Sequence, residues 1–178
     1  MRKLSNFSLL LLIVAIGFWC CNGSGKKQPP VSLSQAKEQL EGINKELVKN
    51  DKEQIEAYLK RYALDSLVAQ NGAGLYYIIY GDALGAIAEK GQLATISYKV
   101  SLLDGSICYG ETTPVQEQFL VGQGGVVSGL EQGVLLMRVG QKAKFILPPH
   151  LAHGLVGDGS KIPPRAILVY DVELLSLH

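Results

Sequence analysis

The spacing of apolar positions changes several times along the chain. Leu9 to Phe18 is an unbroken apolar run. Further on, Ala36, Leu40, Ile43 and Leu47 recur at four-three-four spacing with Lys and Glu between them, the mark of an amphipathic helix. Asp51 with Gln54 three residues on reads as a capping box that opens a second helix, striped by Ile55, Leu59 and Tyr62; Gly42 weakens the first. Both stripes are narrow, so these helices are expected to rest on a second copy or on the flank of the next domain. From Leu75 the period falls to two. In "LATISYKVSLLDG", Ile96, Tyr98, Val100 and Leu102 face one way while Thr95, Ser97, Lys99 and Ser101 face the other, and Asp104-Gly105 turns the chain. Ala143, Phe145 and Leu147 alternate with Lys142 and Lys144, and Leu168, Tyr170, Val172 and Leu174 alternate with Asp171 and Glu173. Strands with one apolar and one wet face predict an antiparallel sheet covered on one side. Between them only Val127, Leu130, Val134 and Met137 have helical spacing, so the domain is expected to be α+β, a sheet against one short helix.

Composition changes this picture mainly at the N-terminus. The ten-residue apolar run is too short for a bilayer, which takes roughly 20 residues, and has the length of a signal-peptide core behind Arg2 and Lys3. Cys20 and Cys21 follow it directly, then the soft polar stretch "NGSGKKQPP", which suits a lipoprotein signal with lipidation at Cys20 or Cys21. The expected address is the bacterial cell envelope, lipid-anchored, facing the periplasm. Net charge is +1, and −1 once Arg2 and Lys3 are removed, so no nucleic-acid partner is indicated. Cys108 is the one other cysteine, and its neighbours in "SICYGE" point to packing rather than nucleophilic chemistry. His150 and His153 are three apart but lack further ligands, so no metal is expected. Asp158 and Glu131 make no convincing acid–base pair.

The stretch "VGQGGVVSGLEQGV", residues 121–134, holds five glycines. Gly124 and Gly129 have the spacing of a phosphate-binding loop, which also needs Lys and then Ser or Thr. Leu130-Glu131 stand there instead, and a carboxylate repels phosphate. The glycines are therefore expected to turn the backbone between a strand and a helix, leaving free N–H groups at the helix start.

The segment "FLVGQGGVVSGLEQGVLLMRVGQKAKFILPPHLAHG", with "IPPRAILVYDVELL", resembles the second half of an FKBP-type peptidyl-prolyl cis–trans isomerase. The likeness runs from about Leu75 to the C-terminus. "LLDGSICY", "PPHLAHGLVGDGSKIPPRAILVYDVELL" and the lipidated leader resemble more narrowly the bacterial FKBP lipoproteins linked to gliding motility. The resemblance implies a curled antiparallel sheet wrapped around one helix. With the segments read above, the expected division is 1–20 signal peptide, 21–33 linker and 34–70 helical leader, followed by 75–178, which the resemblance implies is an isomerase domain.

On that resemblance the partners are proline-containing polypeptides, with no cofactor, and Tyr98, Val127, His153 and Tyr170 carry catalysis. Phe119, Val126, Leu130, Ile162, Cys108 and Tyr109 contact substrate. Departures stand out: Leu130 replaces a tryptophan, His153 a tyrosine, Cys108-Tyr109 a Phe-Asp pair, Glu117 an aromatic and Lys161 an isoleucine. Losing an aromatic floor removes about 1–2 kcal/mol of contact, which implies a modest isomerase that binds macrolide immunosuppressants poorly. The alternatives are an FKBP-like chaperone without turnover, or a scaffold subunit of an envelope complex. Residues 34–65 are either a spacer that packs or an arm for a dimer or envelope partner.

Overall fold

A computed structural model describes residues 32–178; the signal segment, most of the linker and both candidate lipidation cysteines lie outside the described residues. The chain parts into two compact units, one ending at Gly42 and the other running Ile43–His178. Helix α1, Leu33–Arg61, carries the chain through that point. The expected break at Asp51 is absent. The capping box stands instead at Ser32 and Gln35, where the Gln35 N–H donates to Ser32 Oγ at 3.3 Å and the Ser32 N–H to Gln35 Oε1 at 3.2 Å. Gly42 costs about 1 kcal/mol against Ala, too little to stop a helix braced by i,i+4 ion pairs such as Lys49–Glu53 and Lys52–Glu56.

Asp51 is 7% exposed and accepts a hydrogen bond from Arg165 Nη2 at 2.9 Å, so it is a buried ionic partner and not a cap. Ile55 and Leu59 are buried as their stripe predicts, against Tyr76, Ile146, Ile167 and Val169. Tyr62 is half exposed and packs its ring 4.7 Å from that of Tyr58. Leu40 and Ile43, 60% and 56% exposed, belong to the first stripe, which stays largely open to solvent.

The strands are β1 Ala69–Gln70, β2 Tyr76–Tyr80, β3 Leu93–Leu102, β4 Ile107–Tyr109, β5 Val115–Leu120, β6 Lys142–Leu147 and β7 Leu168–Leu177. They form one antiparallel sheet in the order β1-β2-β6-β7-β3-β4, with β5 also paired to β3. β4 takes the Val100–Ser101 end of β3 and β5 the Leu93–Tyr98 end, and register shifts at Thr95/Ile96 and Val100/Ser101 mark bulges that bend it. The inward sets are as the alternation predicts: Ile96, Val100, Phe145, Leu147, Leu168 and Leu174 are buried in one core. On the outer face Lys144 meets Asp171 and Lys142 meets Glu173 in register. One-sided cover is corrected, because Ile55 and Leu59 of α1 bury part of the outer face at Tyr76, Ile146 and Val169.

Helix α2, Ser128–Val134, lies on the inner face with Leu130 and Val134 buried. The glycines before it divide the labour with those inside it. Gly122 and Gly124 turn the chain at φ +80° and +79°. Gly129 and Gly133 have another purpose: a Cβ on either would lie 2.6 Å from Leu147 or from the Phe145 ring, so the helix needs bare backbone to approach β6.

Candidate functional site

Between α2, the inner face of β3, β5 and β7, and the 153–162 loop lies a cavity of about 710 Å³. Leu130, 1% exposed, and Tyr170 form its apolar depth. The rings of Tyr98 and Tyr170 stand 5.6 Å apart at a 40° tilt, and Val100, Val115, Val126 and Ile162 complete the apolar wall. At the glycine end the Val127 N–H donates to no protein acceptor among the described residues, and no side chain caps the helix start. The turn leading there is held by Glu131, whose carboxylate accepts the Gly124 N–H at 2.8 Å.

Two carboxylates enter this wall. Tyr98 Oη donates to Glu117 Oε2 at 2.9 Å. Burial, and then this bond, push the Tyr98 phenol well above its ordinary range. Burial does the same to Tyr170. Across the cavity Asp158 accepts three donors: the Tyr109 hydroxyl, the Ser160 N–H at 2.9 Å and the Ile162 N–H at 2.8 Å. The Tyr109 bond first, then those amides, hold the Asp158 carboxyl down at about 2. Lys161 Nζ stands 5.5 Å from the Tyr109 ring centroid, a cation–π contact at the rim.

Tyr98, Tyr109, Val126, Val127, Leu130, His153, Ile162 and Tyr170 therefore come together around one cavity. Phe119 and Cys108 do not reach it. They are 5% and 2% exposed and belong to the core, Phe119 beneath Gly125, whose added Cβ would lie 3.2 Å from that of Phe119. Burial raises the Cys108 thiol above its usual range, the opposite of an activated nucleophile. Sequence reasoning passed over the roles of Glu117 and Asp158. A charged residue between inward Val115 and Phe119 on one strand, and an Asp heading the loop "DGSKI", were the available signals. His150 and His153 diverge: His150 Nε2 lies 2.9 Å from the Ala73 carbonyl oxygen, while His153 lines the cavity. Among the described residues no three His, Cys, Asp or Glu side chains gather as a metal site.

A bent antiparallel sheet around one helix, with a cavity between, can be placed among known proteins. The family model described as FKBP-type peptidyl-prolyl cis-trans isomerase matches residues 85–175. The chain belongs to this family of isomerases. It is 35% identical over 117 residues to FK506-binding protein 2 of Yarrowia lipolytica, covering 65% of this chain and 81% of that one. It is 37% identical over 142 residues to the FKBP-type peptidyl-prolyl cis-trans isomerase FkpA of Aeromonas hydrophila, covering 76% of this chain and 49% of the relative. The chain thus spans about half the length of that second relative. Its fold is similar to the crystal structure of FkpA from Escherichia coli, with a TM-score of 0.58 and 24% identity over 97% of this chain and 82% of the other. Within this FKBP-type frame two carboxylates bind tyrosine hydroxyls at the cavity: Glu117 from β5 holds Tyr98, and Asp158 from the loop holds Tyr109.

Proposed function

We propose that the chain rotates X–Pro peptide bonds in exported polypeptides, from the bacterial cell envelope, anchored by lipid at Cys20 or Cys21. An X–Pro bond rotates over tens to hundreds of seconds unaided, across a barrier of about 18–20 kcal/mol set by amide resonance. The twisted amide is less polar than the planar one. An apolar cavity therefore favours the twisted form over the solvated ground state, and a fixed backbone N–H can hold a neighbouring carbonyl meanwhile. No nucleophile or proton transfer is needed.

The observation that carries this reading is one juxtaposition: the Val127 N–H, without an acceptor among the described residues, beside a cavity lined by Leu130 and Tyr170. Tyr98 and Ile162 line the same cavity, whose volume is about 710 Å³.

The test is a proline-peptide cis–trans assay on the full chain, with Val127→Pro as the diagnostic variant. Val127 has φ −58°, which a proline ring accepts, so this change removes the N–H with little demand on the backbone. Wild-type chain is expected to accelerate isomerisation above buffer, and Val127→Pro to lose on the order of a hundredfold in kcat/KM while circular dichroism stays unchanged. Wild-type rates equal to buffer would end the isomerase reading. A second reading, a peptide-binding chaperone without turnover, draws support from Leu130 at the floor and from the two carboxylates in the wall. It would show as unfolded protein bound without any rate enhancement. A mass spectrum of the mature N-terminus tests the anchor, and an unlipidated terminus would remove it.

A further inference from the structure

Glu117 breaks the rule that its own strand obeys. On β5, Gln116, Gln118 and Leu120 are exposed, whereas Val115, Glu117 and Phe119 share the inward face. A carboxylate in that row loses hydration, a cost that persists unless partners replace the water. Glu117 is only partly compensated. Its Oε2 accepts the Tyr98 hydroxyl, while its Oε1 accepts no hydrogen bond and no Lys, Arg or His forms an ion pair with it among the described residues. Asp158, across the cavity, is by contrast occupied by three donors. Lys161 Nζ stands over the Tyr109 ring, 5.5 Å from its centroid. The cavity thus offers a carboxylate oxygen with capacity to spare, beside Tyr98 and Val115 and negative in sign.

The geometry points to Glu117 as a specificity-determining residue, which receives a Lys or Arg side chain on the substrate residue preceding proline. This deepens the isomerase reading and rests on it. With the proline over Leu130 and Tyr170, the residue before it is the one covalently tied to the rotating bond. Its alkyl stem can follow the Tyr98 and Val115 surface and bring its cation to Oε1. A cation gains more there than a neutral donor, since charge-assisted hydrogen bonds are roughly twice as strong, and an acidic side chain is repelled.

The experiment compares three peptides that differ only in the residue before proline, Lys, Leu or Glu, using the full chain. kcat/KM is expected to fall in that order, with Lys-Pro about tenfold above Glu-Pro. Raising the salt concentration should shrink the spread. Glu117→Gln keeps an oxygen for the Tyr98 hydroxyl and removes the charge, so the Lys-to-Glu ratio should fall to about one. A flat wild-type series, or a ratio that Glu117→Gln and salt both leave unchanged, overturns the proposal. If no peptide is turned over, the isomerase reading fails by itself and the same peptides are compared by fluorescence anisotropy. Tightest binding of Lys-Pro, lost in Glu117→Gln, then upholds the charge preference, while equal or absent binding overturns it.

Discussion

Asp158 illustrates what one side chain can organise. Its carboxylate gathers the Tyr109 hydroxyl and the Ser160 and Ile162 N–H groups, and so fixes the loop that presents Ile162 to the cavity. Asp158→Ala leaves those donors to solvent, and a drop of about tenfold in kcat/KM is expected, with faster amide exchange at Ile162 as the companion measurement. The pH dependence follows from the direction of the shift. Native Asp158 titrates at about 2 against an ordinary 3.8, so the charged form is the one the folded loop favours. Its contribution is fully present above 3.8 and is lost as pH falls through about 2. The Ile162 amide resonance should follow that window; a midpoint near the ordinary carboxylate value would sink the assignment.

At the scale of elements, α2 shows that a glycine can be demanded by distance rather than by dihedral angle. Helical glycine is unfavourable by roughly 1 kcal/mol against alanine, so Gly→Ala inside a helix ordinarily stabilises. At Gly129 the added Cβ would stand 2.6 Å from Leu147 Cδ2 and Cγ and 3.0 Å from the Leu151 carbonyl oxygen. Overpacking of that kind costs about 1–3 kcal/mol, which outweighs the propensity gain. Gly129→Ala should therefore lower stability in chemical denaturation, and because Leu130 is the next residue, the cavity floor should move with it. An unchanged or raised midpoint would show that α2 can lift from β6 at little cost.

For the Ile43–His178 unit as a whole, the sheet is packed from both sides. The main core lies under α2, and Ile55 and Leu59 of α1 close a smaller cluster on the outer face. The Asp51–Arg165 pair joins this buttress to the chain just after Ile162-Pro163-Pro164, at a residue held at φ +58°. The pair is largely out of solvent, so removing one partner strands the other. Asp51→Ala is expected to cost about 1–3 kcal/mol of stability. Because Arg165 borders the Ile162 loop, kcat/KM should fall together with the denaturation midpoint. A stability loss with unaltered kcat/KM would confine the pair to a purely structural part.

Local pattern, by itself, determined β3, β6 and β7 with their inward faces, and the short helix. Each of these depends on neighbours a few residues apart, where period two or 3.6 and turn chemistry act directly. The likeness of the glycine and Ile-Pro-Pro motifs to a known family brought most of the cavity wall into view as well. Charge partners were beyond reach. Tyr98 meets Glu117 across 19 positions, Tyr109 meets Asp158 across 49, and Arg165 meets Asp51 across 114. No periodicity records such pairings, so Asp51 read as a helix cap and Glu117 as a departure. Depth along a strand was equally hidden: Phe119 and Glu117 share one face of β5, yet one is core and the other is wall. Only the folded sheet, by bending over α2, decided which inward side chains meet each other and which meet a cavity.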